Sequence, residues 1–582
     1  MRVLLASEAN SGADERLAAQ NIFRWRAALW GAGALTGLLQ AWAFRHTVNP
    51  DGISYLDIAQ ACARGNWQSL INGYWSPLYP LLLSLVFRVM KPSPDWESTV
   101  AHFANFGIFL LSFVCFEFFL SELIRNRRGR SVATSQGEGI PEWVLWVLGD
   151  SLFIYLTLLF IHMERLEPDL LLGALVYLAG AFVLRIWAGE ANWMASAGLG
   201  ATLGAGYLAK AVMFPLAFIF LGCALFAVKP MRWSIPRTAL SLAAFLLAAG
   251  PFVAALSKQK GRITHGDVGK IAYAEFVGGV TRTIHWQGGP DGFGWPAHPT
   301  RVLSQNPPLY EFATPIGGTY PPWYDPSYWY EGVVPKFRLA NQLRAIRYTI
   351  EEYAGIFPYM GGVLVGFLGL ALAARQEAGA WEDWFSIWPL WGPAVAALGI
   401  FALVYVEGRY VAPFFVVIWM SAFAAFRFAR TDRVEALVKP VVLATVLMLC
   451  TGIAWLAGRA LFRALRPEPF VNWEVAQGLQ KMGVDPGDRA ALIGNGLDSY
   501  WAHLAGVRIV AEIPLGGAPI FWSAPNSVQS QIFGDFARSG AKFVVADQGV
   551  PPGAEPGWQR IGETNYFFHE LNSKPAKSAA AN

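Results

Sequence analysis

The sequence predicts a polytopic α-helical membrane protein with a small C-terminal α/β domain. Three observations predict it. Of the 582 residues, 54% are hydrophobic and only 15% charged, whereas a soluble domain usually carries about 25% charge. Apolar runs of about 20 residues, the length that crosses a bilayer, recur as far as residue 458. Beyond them, residues 470–582 alternate helix-like and strand-like patterns. The 25 tryptophans and 40 phenylalanines suit the two aromatic belts of a membrane protein.

Composition also excludes several classes. The net charge of +4 is small and the basic residues are scattered, so there is no nucleic-acid footprint. Cys115, Cys223 and Cys450 lie in apolar runs and only Cys62 lies in a loop. That set supports neither a disulfide framework nor a CxxC metal pattern. The first apolar run is long and has no small-residue cleavage site after it, so it is expected to remain as a span.

Eleven apolar runs are candidate spans: 26–45, 100–123, 143–162, 169–189, 193–209, 211–228, 236–257, 354–374, 384–405, 410–428 and 438–458. A further run, 77–90, is short and ends in Arg88 and Lys91. The bias of Lys and Arg toward cytoplasmic loops decides its status. With Arg16, Arg24 and Arg26 inside, a non-crossing 77–90 puts Arg125–Arg130, Lys229–Arg237, Arg375 and Arg427–Arg433 inside as well. The run 77–90 therefore reads as an interfacial or re-entrant helix. Eleven spans then place the C-terminal part outside.

This topology divides the chain into a membrane domain, 1–461, and an outer α/β domain with a disordered end, 462–582. It also gathers on the outer face the loop 46–99, the turn 163–168, Lys210, the loop 258–353 and Glu407–Tyr410. The loop 258–353 is too long for a connector and is rich in aromatic and turn residues. In the tail, R-A-A-L-I, V-R-I-V-A and K-F-V-V-A-D read as buried strands, with helical stretches near 472–482, 497–505 and 525–539. Its G-N-G lacks the spacing of a dinucleotide fingerprint.

The chemistry is concentrated after the first span, in H-T-V-N-P-D-G-I-S-Y-L-D-I-A-Q followed by G-Y-W-S-P-L-Y-P-L-L-L. Asp51 sits there at the membrane surface, where partial desolvation can tune a carboxylate toward general-base work. N-P-D-G is equally a common turn sequence, which offers a purely structural reading. Asp57 is the reserve base, and Tyr55, Asp57 and Tyr79 are candidate substrate contacts. In H-M-E-R-L-E-P-D, Glu164, Glu167 and Asp169 crowd into six residues. Asp169 there can simply cap the next helix.

The pattern D-G-I-S-Y-L-D-I-A, then S-P-L-Y-P-L-L-L, resembles the first outer loop of the GT-C superfamily of membrane glycosyltransferases. It is similar to the polyprenyl-phosphate-sugar-dependent branch. That branch includes protein mannosyltransferases, aminoarabinose transferases of lipid A and RgtA/B/C/D-like enzymes. The resemblance covers roughly residues 26–260. It implies that Asp51 is the catalytic base. It also implies an acidic residue in the second outer loop facing it, a role open to Glu167 or Asp169. Family members more often carry Asp-Glu where this chain has Asp51–Gly52. The resemblance makes Lys210 a phosphate-side residue, and R-Y-x-x-P at Arg409–Tyr410 is similar to a motif in many relatives. Arg409 offers a bidentate fork to phosphate; its plainer alternative is an ion pair with Glu407. No cofactor is required by this pattern, although a divalent cation at the acidic turn is an option.

The implied activity is transfer of a sugar from a polyprenyl-phosphate donor to a hydroxyl of a glycan, lipid or protein acceptor. It would occur on the outer, periplasmic face of a bacterial inner membrane. The alternative is a transporter or flippase of lipid-linked saccharides, which the buried charges would suit and the large outer loops would not. Trp323, Tyr324, Tyr328, Trp329 and Tyr330 read as interfacial aromatics or sugar platforms. His265, His285 and His298 have no metal-ligand spacing and read as structural.

Overall fold

The apolar runs are helical in the computed structural model of the protein. The structure describes residues 2–133, 138–188, 193–227, 230–280, 284–289, 292–312, 317–374, 385, 387–428, 432–547, 550 and 557–571. The basic positions Lys229, Arg375 and Arg430, and the end 574–582, lie outside the described residues. By length and composition, seven helices among the described residues can cross a membrane. They are Pro94–Arg128, Glu142–Phe160, Asp169–Trp187, Met231–Lys260, Leu339–Ala373, Gly408–Ala425 and Ala436–Leu465. Met213–Phe226 and Trp388–Ala402 are apolar but shorter.

Two further expected spans are helical without being among the seven. The run 26–45 begins inside helix Arg2–Ala43, where Gly31, Gly33, Thr36, Gly37 and Gln40 dilute its hydropathy. Trp193–Ala209 has only 17 residues. Small residues let that short helix lie close to Met231–Lys260. A Cβ on Gly200 would stand 2.0 Å from the Ser241 carbonyl oxygen, so only glycine allows the approach. Helix Leu78–Met90 has 13 residues. At 1.5 Å per residue it is about 20 Å long, short of the ~30 Å hydrocarbon core.

The helix Asp169–Trp187 shows how the two ends of the bundle differ. Asp169 opens it and Arg185 lies in its last turn, roughly 24 Å apart at the helical rise. Around Arg185 are basic residues and their partners: Arg185 Nε donates to Glu122 Oε1 at 2.8 Å, and Arg128 pairs with Glu142. Around Asp169 are the segments assigned to the opposite face.

Those segments meet a seven-stranded mixed sheet. Its strands are β1 (Arg301–Gln305), β2 (Pro308–Glu311), β3 (Arg489–Gly494), β4 (Arg508–Pro514), β5 (Phe543–Ala546), β6 (Gln559–Arg560) and β7 (Phe567–Glu570). The spatial order is β1-β2-β4-β3-β5-β7-β6. Only β3–β4 and β3–β5 are parallel; the other neighbours are antiparallel. The three strands read in the tail form this central parallel part, flanked by helices Val471–Lys481, Tyr500–Ala505 and Asn526–Arg538. The strands β1 and β2 come from the loop 258–353. The sheet therefore runs across the division drawn at residue 462.

A buried histidine joins the sheet region to the helices. His503 Nδ1 lies 2.7 Å from Asp57 Oδ1, and its Nε2 lies 3.1 Å from Glu97 Oε2. Burial alone would lower its pKa, but the Glu97 and Asp57 carboxylates overcome that and hold it at about 10. A histidine whose folded pKa is raised stabilises the fold fully below its unfolded pKa, about 6.5, and loses that stabilisation as pH rises toward 10. The protein is expected to lose thermal stability between pH 6.5 and 10, with much of the slope absent in His503→Gln. Equal slopes in the two melting series would remove His503 from this role.

Candidate active site

Pro50 and Asp51 begin the helix Pro50–Ala63. The turn-like N-P-D-G is thus a helix start. Proline suits the first helical position because the N–H it lacks would have no partner there. Asn49 precedes the helix in an extended conformation, and its side chain makes no cap bond. Instead Asn49 Nδ2 donates to Glu167 Oε1 at 2.6 Å, and its Oδ1 accepts from the Leu166 backbone N–H at 3.1 Å. Gly52 makes the contact possible. A Cβ there would lie 3.1 Å from Leu166 Cβ and 2.9 Å from Asn49 Oδ1. Glycine at position 52 therefore lets the turn 163–168 rest on the helix, bringing Glu167 with it. Asn49→Ala is expected to cost about 1–3 kcal/mol, the usual consequence of stranding buried hydrogen-bonding groups. An unchanged melting temperature in detergent would show the clamp to be dispensable.

Around this joint the structure brings together most of the residues singled out in the sequence. Arg409 Nε donates to Glu407 Oε2 at 2.6 Å, and its Nη1 meets Glu167 and lies 3.7 Å from Asp169 Oδ2. Lys210 Nζ donates to Asp169 Oδ1 at 2.5 Å and sits over the Tyr410 ring, 3.9 Å from its centre. Tyr410 also stacks on Phe401. Both expected phosphate cations are thus paired with carboxylates. The Glu167 and Asp169 carboxylates considered for a divalent cation are the ones that hold them. Among the described residues no group of three or more His, Cys, Asp or Glu is arranged to hold a metal ion.

Arg165, which the sequence reading passed over, completes the cluster. It contacts Glu167 only at 3.4 Å, and its side chain is 44% exposed, against 9% for Arg409. It is the cation least committed to a protein partner. A small cleft lies between Arg165, Glu167, Asp169 and Arg409, walled by Phe160 and Leu170.

Asp51 faces this cluster. Trp323 Nε1 donates to its Oδ1 at 3.2 Å. Burial raises its pKa above the ordinary carboxylate value, while Arg409, the Trp323 bond, Lys210 and Arg165 hold it back. The Tyr55 hydroxyl is raised by burial, and then by the nearby Asp51 and Asp169 carboxylates. Of the candidate substrate contacts, Tyr55 therefore belongs to the cluster.

Asp57 and Tyr79 do not. Six residues past Asp51 on a helix, Asp57 faces another way. Its oxygens accept from Thr319 N at 2.7 Å and Thr319 Oγ1 at 2.8 Å, beside His503. Tyr79 is fully buried, and its hydroxyl donates to Asn105 Oδ1 at 2.8 Å. Both are engaged by protein partners. The aromatic loop divides similarly. Trp329 donates to the Pro321 carbonyl, Tyr330 stacks on Trp286 and Tyr328 stacks on His298. His265 stacks on Phe214, and His285 contacts Glu512 and Tyr310. Among these aromatics, Trp323 is the one that donates to Asp51. Nothing in its local sequence separates it from the other aromatics.

No protein-family model matches the chain, and no curated protein matches it. Solved structures do. ArnT from Cupriavidus metallidurans bound to undecaprenyl phosphate superposes with a TM-score of 0.51 at 12% identity, over 94% of this chain and 99% of that one. Its apo form gives 0.48 at 12% identity, over 93% and 97%. The Archaeoglobus fulgidus oligosaccharyltransferase gives 0.45 at 14% identity, over 89% of this chain and 69% of that one. These neighbours are an aminoarabinose transferase and an oligosaccharyltransferase, both GT-C glycosyltransferases. At such identity the likeness to the lipid-bound ArnT shows the fold alone.

Proposed function

We propose that this protein is a GT-C glycosyltransferase that moves a sugar from a polyprenyl-phosphate donor to an acceptor hydroxyl at the outer membrane face. The observation that carries the reading is the meeting of Asp51 with Arg165, Lys210 and Arg409 at one end of the helix bundle, all three acting electrostatically on its carboxylate. A transferase of this kind needs two groups that differ in charge. A base removes the acceptor proton as the hydroxyl attacks the anomeric carbon. Cations stabilise the phosphate that leaves.

Asp51 suits the first role. Burial raises its pKa above that of an ordinary aspartate, which makes the carboxylate more basic, while Arg409, Lys210 and Arg165 favour its ionised form. Arg165, Lys210 and Arg409 suit the second. Arg165 offers an exposed guanidinium; Lys210 and Arg409 would exchange carboxylate partners for phosphate oxygens. Glu167, Asp169 and Glu407 hold the cations in place until then. The apolar wall of Phe160 and Leu170 beside the cleft suits a lipid-bearing phosphate. The full complement of eleven spans, with the sheet on the outer side, belongs to this reading.

The test is transfer in membranes containing the protein, using radiolabelled polyprenyl-phosphate sugars with mixed glycan, lipid and peptide acceptors. Label moving to an acceptor supports the reading. Label crossing the bilayer while remaining on its lipid would replace it with the flippase alternative.

A further inference from the structure

Five consecutive residues connect the sheet to Asp51. At one end the Thr319 carbonyl accepts from Ile509 N in β4 at 3.0 Å, while the Thr319 N–H and hydroxyl both donate to Asp57. The next residue, Tyr320, donates its hydroxyl to Glu512 Oε1, also in β4, at 2.7 Å. At the other end the Trp323 carbonyl accepts from Ser54 Oγ and from Trp75 Nε1, each at 3.1 Å. Ser54 lies one helical turn after Asp51. The backbone of Trp323 is therefore pinned to the same helix that carries Asp51, and its indole N–H is left pointing at Asp51 Oδ1.

We propose that Trp323 is a positioning residue for Asp51, and that β4 holds it in place through Thr319 and Tyr320. The indole donates one directed hydrogen bond to one carboxylate oxygen. That fixes the rotation of the carboxylate and leaves Oδ2 as the oxygen turned toward a proton. It also favours the ionised form, because a hydrogen bond to a charged acceptor is stronger than one to its neutral form. The other groups that act on Asp51 are Arg165, Lys210 and Arg409, with the Tyr55, Tyr74 and Tyr410 hydroxyls nearby. All of them come from the helices and the turn 163–168 or from the first outer loop. The Trp323 bond is the contribution of the sheet side. A soluble sheet thereby sets the state of a group at the membrane surface.

The inference rests on Asp51 being the base, and the experiment separates the two ideas. Transfer is measured against pH for wild type, Asp51→Asn, Trp323→Phe and Tyr320→Phe, with melting temperatures recorded alongside. Loss of the indole donor should move the acid limb of kcat upward by about one pH unit, the effect of one hydrogen bond to a charged group. KM should be little changed. Tyr320→Phe leaves the indole and the Thr319–Ile509 backbone bond intact but removes the strap's side-chain bond to β4; it should shift the limb in the same direction by less. Trp323→His, which can restore a ring N–H, should recover part of the shift. If Asp51→Asn abolishes transfer while Trp323→Phe keeps the wild-type limb and kcat, the positioning role is overturned and the base stands. If Tyr320→Phe leaves the limb in place while Trp323→Phe moves it, the Tyr320–Glu512 bond to β4 has no part in it. If Asp51→Asn transfers normally, the base assignment itself fails.

Discussion

Asp51→Asn is expected to lower sugar transfer by about 10²–10⁴-fold, the usual contribution of a general base. The protein should remain folded. Burial raises the Asp51 pKa, so the folded state disfavours its charge, and a neutral isostere of the same shape relieves that cost. The melting temperature of the variant should equal or exceed that of wild type. The pH profile gives a second reading of the same change. A base must be deprotonated, so wild-type activity should fall as pH drops through its raised pKa, above the ordinary value of about 3.9 for aspartate. Asp51→Asn should lack that limb. Transfer within threefold of wild type, at equal expression, would exclude Asp51 as the base.

The second large effect is expected at Arg409. Its guanidinium bridges Glu167 and Glu407 and lies close to Asp169, and its side chain is 9% exposed. Arg409→Ala removes the partner of buried carboxylates and should destabilise the protein by about 3–5 kcal/mol, as when one member of a buried ion pair is deleted. It should also lower kcat by about 10²–10³, the range for loss of a preorganised charge-stabilising donor. Arg409→Lys keeps the charge but cannot reach two carboxylates at once. It should retain more stability than activity. Melting temperature and kcat measured together distinguish a structural from a phosphate-side role. A variant with lowered stability and unchanged kcat would assign Arg409 to the rim ion pair alone.

Gly52 shows why an incomplete motif need not mean an incomplete site. The familiar Asp-Glu pair is interrupted at that position, and from sequence the interruption removes a carboxylate. In space it admits Leu166, whose neighbour is Glu167. A carboxylate, Glu167, then arrives from the turn 163–168, held by Asn49. Spacing along the chain could not reveal this, because the exchange is between two segments more than a hundred residues apart.

The sequence by itself determined the elements whose physics is local. Apolar length and helix propensity mark the membrane helices. Alternation marks the strands of the tail, and a carboxylate beside a span marks Asp51. Lys210 and Arg409 are legible for the same reason: a charge next to an apolar run is costly and conspicuous. Tertiary structure decided the rest, wherever a side chain's role depends on which partner it meets. Asp57 and Asp51 are six residues apart on one helix, so they face different directions; one is saturated by Thr319 and the other turns to the cations. Trp323 is one aromatic among many until folding sets its N–H against Asp51. The strands β1 and β2, short and half-exposed, join the sheet only because β4 offers an open edge. Hydrophobic length is a property of a segment, whereas hydrogen-bond satisfaction is a property of a pair, and the pairs here are made across the chain.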